Sequence, residues 1–160
     1  MPIEVPKDKW AGSVRVCVLG ATPADGGTRS RTVTVGGSKT LPFLQFESTI
    51  TNLPVIAVEI KDHRPEDWSP LLFQTWGNVL DDPGTWAKAA EESGADLIQL
   101  SLSLNGIDGQ PTTARAAVAA VKSVLAATGL PLIVFGPGQP EVDNELVVAV
   151  AEAAKGERLL

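Results

Sequence analysis

The sequence predicts an α/β fold preceded by an antiparallel β-ribbon, and three observations predict it. Three segments in the second half open on proline and close on glycine, with apolar residues recurring at helical spacing between them. A short apolar run follows each of these segments. Residues 14–19 and 32–35 instead alternate with a period of two.

The ribbon comes first. Val14, Val16 and Val18 alternate with Arg15, Cys17 and Leu19, and Val33 and Val35 alternate with Thr32 and Thr34. Between them Gly20 to Gly27 is rich in Gly, Pro, Thr and Asp, the chemistry of a turn, so the two runs form a hairpin. Such a ribbon could cover one open end of an α/β sheet or barrel. The run Val55 to Ile60 then reads as the first strand of something different, a sheet buried on both faces.

The helices are punctuated alike. Asp82-Pro83 opens a segment closing at Gly94, Gln110-Pro111 opens one closing at Gly129, and Gln139-Pro140 opens one closing at Gly156. Proline at the first helical position loses no needed N–H, and glycine beyond the end accepts a left-handed conformation at little cost. In the middle segment Ala114, Ala117, Val118, Val121 and Leu125 share one face, and in the last Val142, Leu146, Ala149, Val150 and Ala153 do so. The runs Leu97 to Leu100, Leu130 to Phe135 and Leu159-Leu160 complete a β-α-β-α-β-α-β order, the pattern of a parallel sheet with right-handed crossovers. The order breaks off as the fourth strand begins, so the sequence reads as part of a longer sheet. Residues 1–52 form the N-terminal extension with its hairpin, and 53–160 the first βα units.

With 160 residues, 44% of them hydrophobic, the chain suits a single core. Residues 1–64 carry eight Lys/Arg against six Asp/Glu, and residues 65–160 five against thirteen, which gives the net −6. The acidic second half argues against nucleic acid, since phosphate binding needs clustered cations, and Arg29 and Arg31 are too few to reverse it. One cysteine, Cys17, makes neither an internal disulfide nor a cysteine-ligated iron–sulfur cluster; it reads as a small buried or half-buried apolar residue. The charged, proline-bearing N-terminus lacks the apolar core of a signal peptide and no apolar run is long enough to span a bilayer, so a cytoplasmic protein is expected.

Ligands of parallel α/β folds meet the C-terminal ends of the strands. The candidate residues are therefore Glu59, Asp62 and His63 after the first strand, Ser101, Ser103, Asn105 and Asp108 after the second, and Gly136 and Gly138 after the third. Each has an ordinary rival role. Glu59 and Asp62 could orient a ligand or bond backbone donors; Asn105 and Asp108 could contact a ligand or form turns; the glycines could admit a ligand or turn the chain. His63, among Lys61, Asp62, Arg64 and Glu66, reads as part of a solvated loop, and Trp68, Trp76 and Trp86 as core plugs. No phosphate-binding glycine motif and no nucleophile beside a base is present, so no catalytic residue and no metal ligand is assigned.

Several short motifs in one order carry a resemblance. They are Gly26-Gly27-Thr28-Arg29-Ser30, Thr34-Val35-Gly36-Gly37, Leu41-Pro42-Phe43, Asn52 to Glu59, Trp76-Gly77-Asn78-Val79-Leu80, Asp82-Pro83, Gly94 to Ile98, Pro131 to Val134 and Gly156-Glu157. From about Val14 onward the chain resembles the delta subunit of CO dehydrogenase/acetyl-CoA synthase, the small subunit of the corrinoid iron–sulfur protein. The resemblance implies a TIM barrel with an N-terminal β-hairpin, of which about the first half is present here. It also implies a corrinoid (cobamide) shared with a large subunit that binds the iron–sulfur cluster, and transient contact with acetyl-CoA synthase and a methyltransferase. The implied task is methyl transfer from a methyltetrahydrofolate or methyltetrahydropterin donor in the reductive acetyl-CoA pathway. Under this reading Glu59, Asp62, Ser103, Asn105, Asp108, Gly136 and Gly138 are candidate cofactor contacts, and no nucleic acid or membrane is involved. The competing readings are a stand-alone pterin-dependent corrinoid methyltransferase barrel and a purely structural assembly subunit.

Overall fold

The structure, a computed structural model, describes residues 3–160. Strands β1 (Cys17–Leu19) and β2 (Val33–Val35) make a two-stranded antiparallel sheet, the expected ribbon. Strands β3 (Ala57–Lys61), β4 (Leu97–Ser101) and β5 (Leu132–Phe135) make a separate parallel sheet in that order. Val58 faces Ile98, and Ile98 in turn faces Leu132, so the even-numbered residues of all three strands share one face. Four helices accompany them: α1 (Pro70–Trp76), α2 (Pro83–Glu92), α3 (Ala114–Ala127) and α4 (Pro140–Ala153).

The predicted helix starts hold at α2 and α4, where Pro83 and Pro140 take the first helical positions. Asp82 caps α2, its Oδ1 accepting the Thr85 amide at 2.7 Å. The helix α3 starts later than Pro111. Pro111 pairs with Asn105 in an isolated β-bridge, and Thr113 is the cap, its hydroxyl accepting from the Ala116 amide at 3.2 Å. The helix α1, capped by Ser69, is an element that the spacing of apolar residues does not signal.

The chain divides into two compact units. The first takes in the described residues up to Val18 together with Thr34–Val55. Within it the Val14 amide donates to Ser38 O at 2.8 Å, Gly37 N donates to Val14 O at 3.0 Å, the Asn52 side chain donates to Gly36 O at 2.8 Å, and the Trp10 indole donates to Glu47. Cys17 is free and half-buried.

The second unit, Leu19–Val33 with Ile56–Leu160, holds the main core. Ile60, Ile98, Leu100 and Leu132 from the even face of the sheet pack with Trp86, Ala87 and Ala90 of α2, Val121 and Val124 of α3, and Leu146 and Val150 of α4. One face of the sheet is thus covered by α2, α3 and α4. On the opposite face Ala57 and Glu59 of β3 and Phe135 of β5 are exposed, whereas Leu97 and Ser101 of β4 are buried, so the expectation of strands buried on both sides holds for β4 and is corrected for the strands beside it. The physical reason is the strand order: sequential parallel neighbours joined by crossovers of one hand keep their helices on one side. Trp86 is 1% exposed, with the Trp68 ring edge-on to it at 5.3 Å and Trp76 tilted against it at 6.4 Å, the core role expected of the tryptophans.

Three strands do not close a barrel. At the free edge of β5, Leu160 N donates to Leu132 O at 3.3 Å and Val134 N donates to Leu160 O at 2.8 Å. That is the bonding of a parallel neighbour.

The segment joining β1 to β2 lies across the N-terminal ends of the parallel strands. Gly20 N donates to Arg158 O, Ser30 N donates to Gly129 O, and the Arg31 guanidinium donates to Ala95 O. Arg29, 1% exposed, is fully engaged: Nε donates to Glu157, Nη1 to the carbonyls of Thr128 and Leu130, and Nη2 to Leu125 O and the Thr28 hydroxyl. The cation thereby satisfies backbone carbonyls at the end of α3, where the helix dipole favours positive charge. Gly20 sits at φ +80°, and a Cβ there would lie 2.8 Å from the Pro131 side chain, so only glycine fits.

Candidate functional site

At the C-terminal ends of the strands the candidate residues fall into three groups. In the first, Glu59 projects from the open face of β3, and its Oε1 accepts from the Ser101 hydroxyl of β4 at 2.7 Å. The Gln99 side chain donates to the same hydroxyl at 3.4 Å, so three polar residues on two adjacent strands are linked on the uncovered face. Phe135 of β5, 59% exposed, gives that face an apolar border.

The second group centres on Asp62. Its Oδ2 accepts from the Ser103 amide at 3.0 Å and its Oδ1 from the Ser103 hydroxyl at 2.7 Å. A carboxylate held by an amide and a hydroxyl of one residue has little rotational freedom. His63 Nδ1 lies 3.0 Å from the same Oδ1, and its side chain is only 20% exposed. The expectation of a solvated His63 is thereby corrected: Ser103 anchors Asp62, and the imidazole settles beside the carboxylate. It helps to wall a cleft of about 540 Å³ between the segment after β3 and the β4–α3 loop.

The third group is explained by local structure. Asp108 Oδ1 accepts from Gln110 N at 3.0 Å, closing a turn in which Gly106 N donates to Gln110 O, although Asp108 also borders the cleft. Asn105 pairs through its backbone with Pro111 in the isolated bridge. Gly138 N donates to Asp143 Oδ1 at 3.1 Å, and a Cβ on Gly136 would lie 2.5 Å from that same oxygen. These two glycines let the chain after β5 turn tightly onto the first turn of α4, and they do not border the cleft. Of the predicted set, the structure joins Asp62 to Ser103 and places Asp108 on the same cleft; Glu59 joins Ser101 instead.

Sequence reading passed over Gln99 and Ser101 as partners of Glu59, although the alternation of β4 puts both on the face of Glu59. It also passed over Thr112, which borders the cleft although its hydroxyl is buried away from solvent. Among the described residues no group of three or more His, Cys, Asp or Glu is placed to hold a metal ion.

A parallel sheet with α2, α3 and α4 packed on one face and polar groups at the C-terminal ends of its strands defines a parallel α/β protein. The sequence matches the CO dehydrogenase/acetyl-CoA synthase delta subunit family over residues 18–160, and the chain belongs to that family. It is 40% identical over 155 residues to the acetyl-CoA decarbonylase/synthase complex subunit delta of Archaeoglobus fulgidus, covering 96% of this chain and 34% of the relative. Subunit delta 1 of Methanosarcina thermophila is 34% identical over 153 residues, with 95% and 35% covered. The subunit delta of Methanopyrus kandleri is 31% identical over 150 residues, with 93% and 37% covered. The chain spans about a third of the length of these curated relatives.

Proposed function

We propose that this chain acts as part of the small subunit of a corrinoid iron–sulfur methyl carrier. It helps to hold the corrinoid while a methyl group passes from methyltetrahydrofolate or methyltetrahydropterin to acetyl-CoA synthase. The observation that carries the reading is family membership across residues 18–160. In this reading β3, β4 and β5 are the first strands of a TIM barrel, a view supported by their sequential order and one-sided helices.

The donor set suits the group. Glu59, Gln99, Ser101 and Ser103 offer neutral and anionic hydrogen-bonding groups at the strand ends, and Phe135 offers apolar area, a combination that fits a large macrocycle with a polar rim. The bound corrinoid supplies a cobalt centre able to carry a methyl group. The chain's own residues supply no acid or base to that chemistry: Ser101 and Ser103 hold Glu59 and Asp62 in fixed rotamers, and those carboxylates orient what binds. The large subunit with the iron–sulfur cluster is the stable partner, and acetyl-CoA synthase and the methyltransferase are transient ones.

Co-expression with a cluster-bearing large subunit tests the reading. The expected result is co-purification of the two chains with the visible absorption of a cobalt corrinoid, reduced when Glu59→Ala and Ser103→Ala are combined. Methyl transfer by this chain without a partner, or a purified pair that takes up no corrinoid, would overturn it.

A further inference from the structure

The β4–α3 loop carries the chain's one Asn-Gly pair, Asn105-Gly106. The other asparagines, Asn52, Asn78 and Asn144, precede Leu53, Val79 and Glu145, whose side chains crowd the amide nitrogen that follows each asparagine. Gly106 has no Cβ, so its nitrogen is open to the neighbouring carboxamide. The Asn105 side chain is exposed, which leaves it within reach of water. The pair is therefore chemically poised to react with itself.

The loop's hydrogen bonds oppose that reaction. Pro111 has no N–H, and its pairing with Asn105 consists of two flanking bonds: Thr112 N donates to Leu104 O at 2.9 Å, and Gly106 N donates to Gln110 O at 2.8 Å. Inside this small hairpin Asp108 Oδ1 accepts from Gln110 N at 3.0 Å, and Gly109 N donates to Gly106 O at 2.9 Å. The nitrogen that would attack is thus committed to Gln110 O. Pairing on both sides of Asn105 also resists the backbone rotation that the attack requires.

We infer that Asn105 is a site of spontaneous deamidation gated by this hairpin, protected while the loop is closed and reactive when it opens locally. In the open loop Gly106 N loses its proton and bonds to Asn105 Cγ, the Cγ–Nδ2 bond breaks, and ammonia leaves. Water then opens the succinimide at either carbonyl, giving aspartate or isoaspartate. Either product adds a carboxylate to a loop whose Asp108 already borders the cleft with Asp62. Isoaspartate also inserts a carbon into the backbone, so the bonds flanking the bridge cannot both re-form. Modification therefore makes this rim more acidic and loosens the loop at the end of the sheet where ligands of parallel folds are met. The inference rests on the hairpin alone and stands whether or not the corrinoid reading does.

The full chain, held in mildly alkaline buffer with and without unfolding urea, is followed by peptide mass spectrometry, in which each deamidation adds one mass unit. In urea Asn105 should react at least tenfold faster than Asn144 of the same chain, and Gly106→Ala should slow it at least tenfold. In the native protein Asn105 should react at least tenfold more slowly than in urea. Asp108→Ala, which removes the bond to Gln110 N, should raise the native rate threefold or more and leave the urea rate unchanged. Asn105 reacting no faster than Asn144 in urea, or no more slowly with Gly106→Ala, overturns the site. Equal native and urea rates, or a native rate that Asp108→Ala leaves unmoved, overturn the gate. If Asp108→Ala does not fold, hydrogen exchange at the Gly106 amide serves instead: protection of tenfold or more supports the gate, and an unprotected amide overturns it.

Discussion

Arg29 is a buried cation that ties the β1–β2 segment to the chain after α3 and α4. Its guanidinium is buried against Glu157 at 2.9 Å, with side chains 1% and 10% exposed, and it feeds four further acceptors. Removing one partner of such a pair leaves an uncompensated buried charge, a change that costs about 3–5 kcal/mol. Arg29→Met should therefore lower the urea midpoint by that much stability without altering the slope, and Arg29→Met combined with Glu157→Leu should recover part of it. Gly20→Ala is expected to destabilise by at least about 1–2 kcal/mol, because a side chain there is both strained and in contact with Pro131. A thermal melt checks it. Neither role was legible in the sequence. Arg29 stands in a Gly-Thr-Ser setting that reads as a loop, and its partners other than Thr28 lie 96 to 128 residues away. His63 was misread for a similar reason: its charged neighbours suggest water, and the Ser103 that holds Asp62 is 41 residues on.

At the level of elements, what could be read was what local chemistry determines. The Pro-to-Gly punctuation of α2 and α4 depends on backbone groups within one turn, and the structure keeps it. The start of α3 did not follow its proline, since Pro111 was drawn into the bridge with Asn105 by the loop's own hydrogen bonds. The helix α1 has seven residues, and Leu71 on it is exposed, so no apolar stripe marks it. The strands were recognisable by their apolar runs, but how many faces were covered depended on where the helices went. The α2 cap offers a direct check. Asp82→Ala should cost about 1 kcal/mol and should speed hydrogen exchange at the Thr85 amide, which now donates to Asp82 at 2.7 Å.

For the molecule as a whole, the parallel order β3-β4-β5 was legible from the alternation of strands and helices, and the family from motifs spread along the chain. The division into units was less so, because residues 19–33 leave the ribbon's own unit and join the sheet's. The described helices include none long and apolar enough to cross a membrane. Two of these long-range contacts set an order in time. Because Arg29 closes on Glu157 and Gly20 on Arg158, the earliest segment of the second unit completes its contacts only after the latest one has been synthesised. Long-range closure of this kind slows folding. On the ribosome the Arg29 guanidinium lacks its carboxylate partner until residue 157 has emerged.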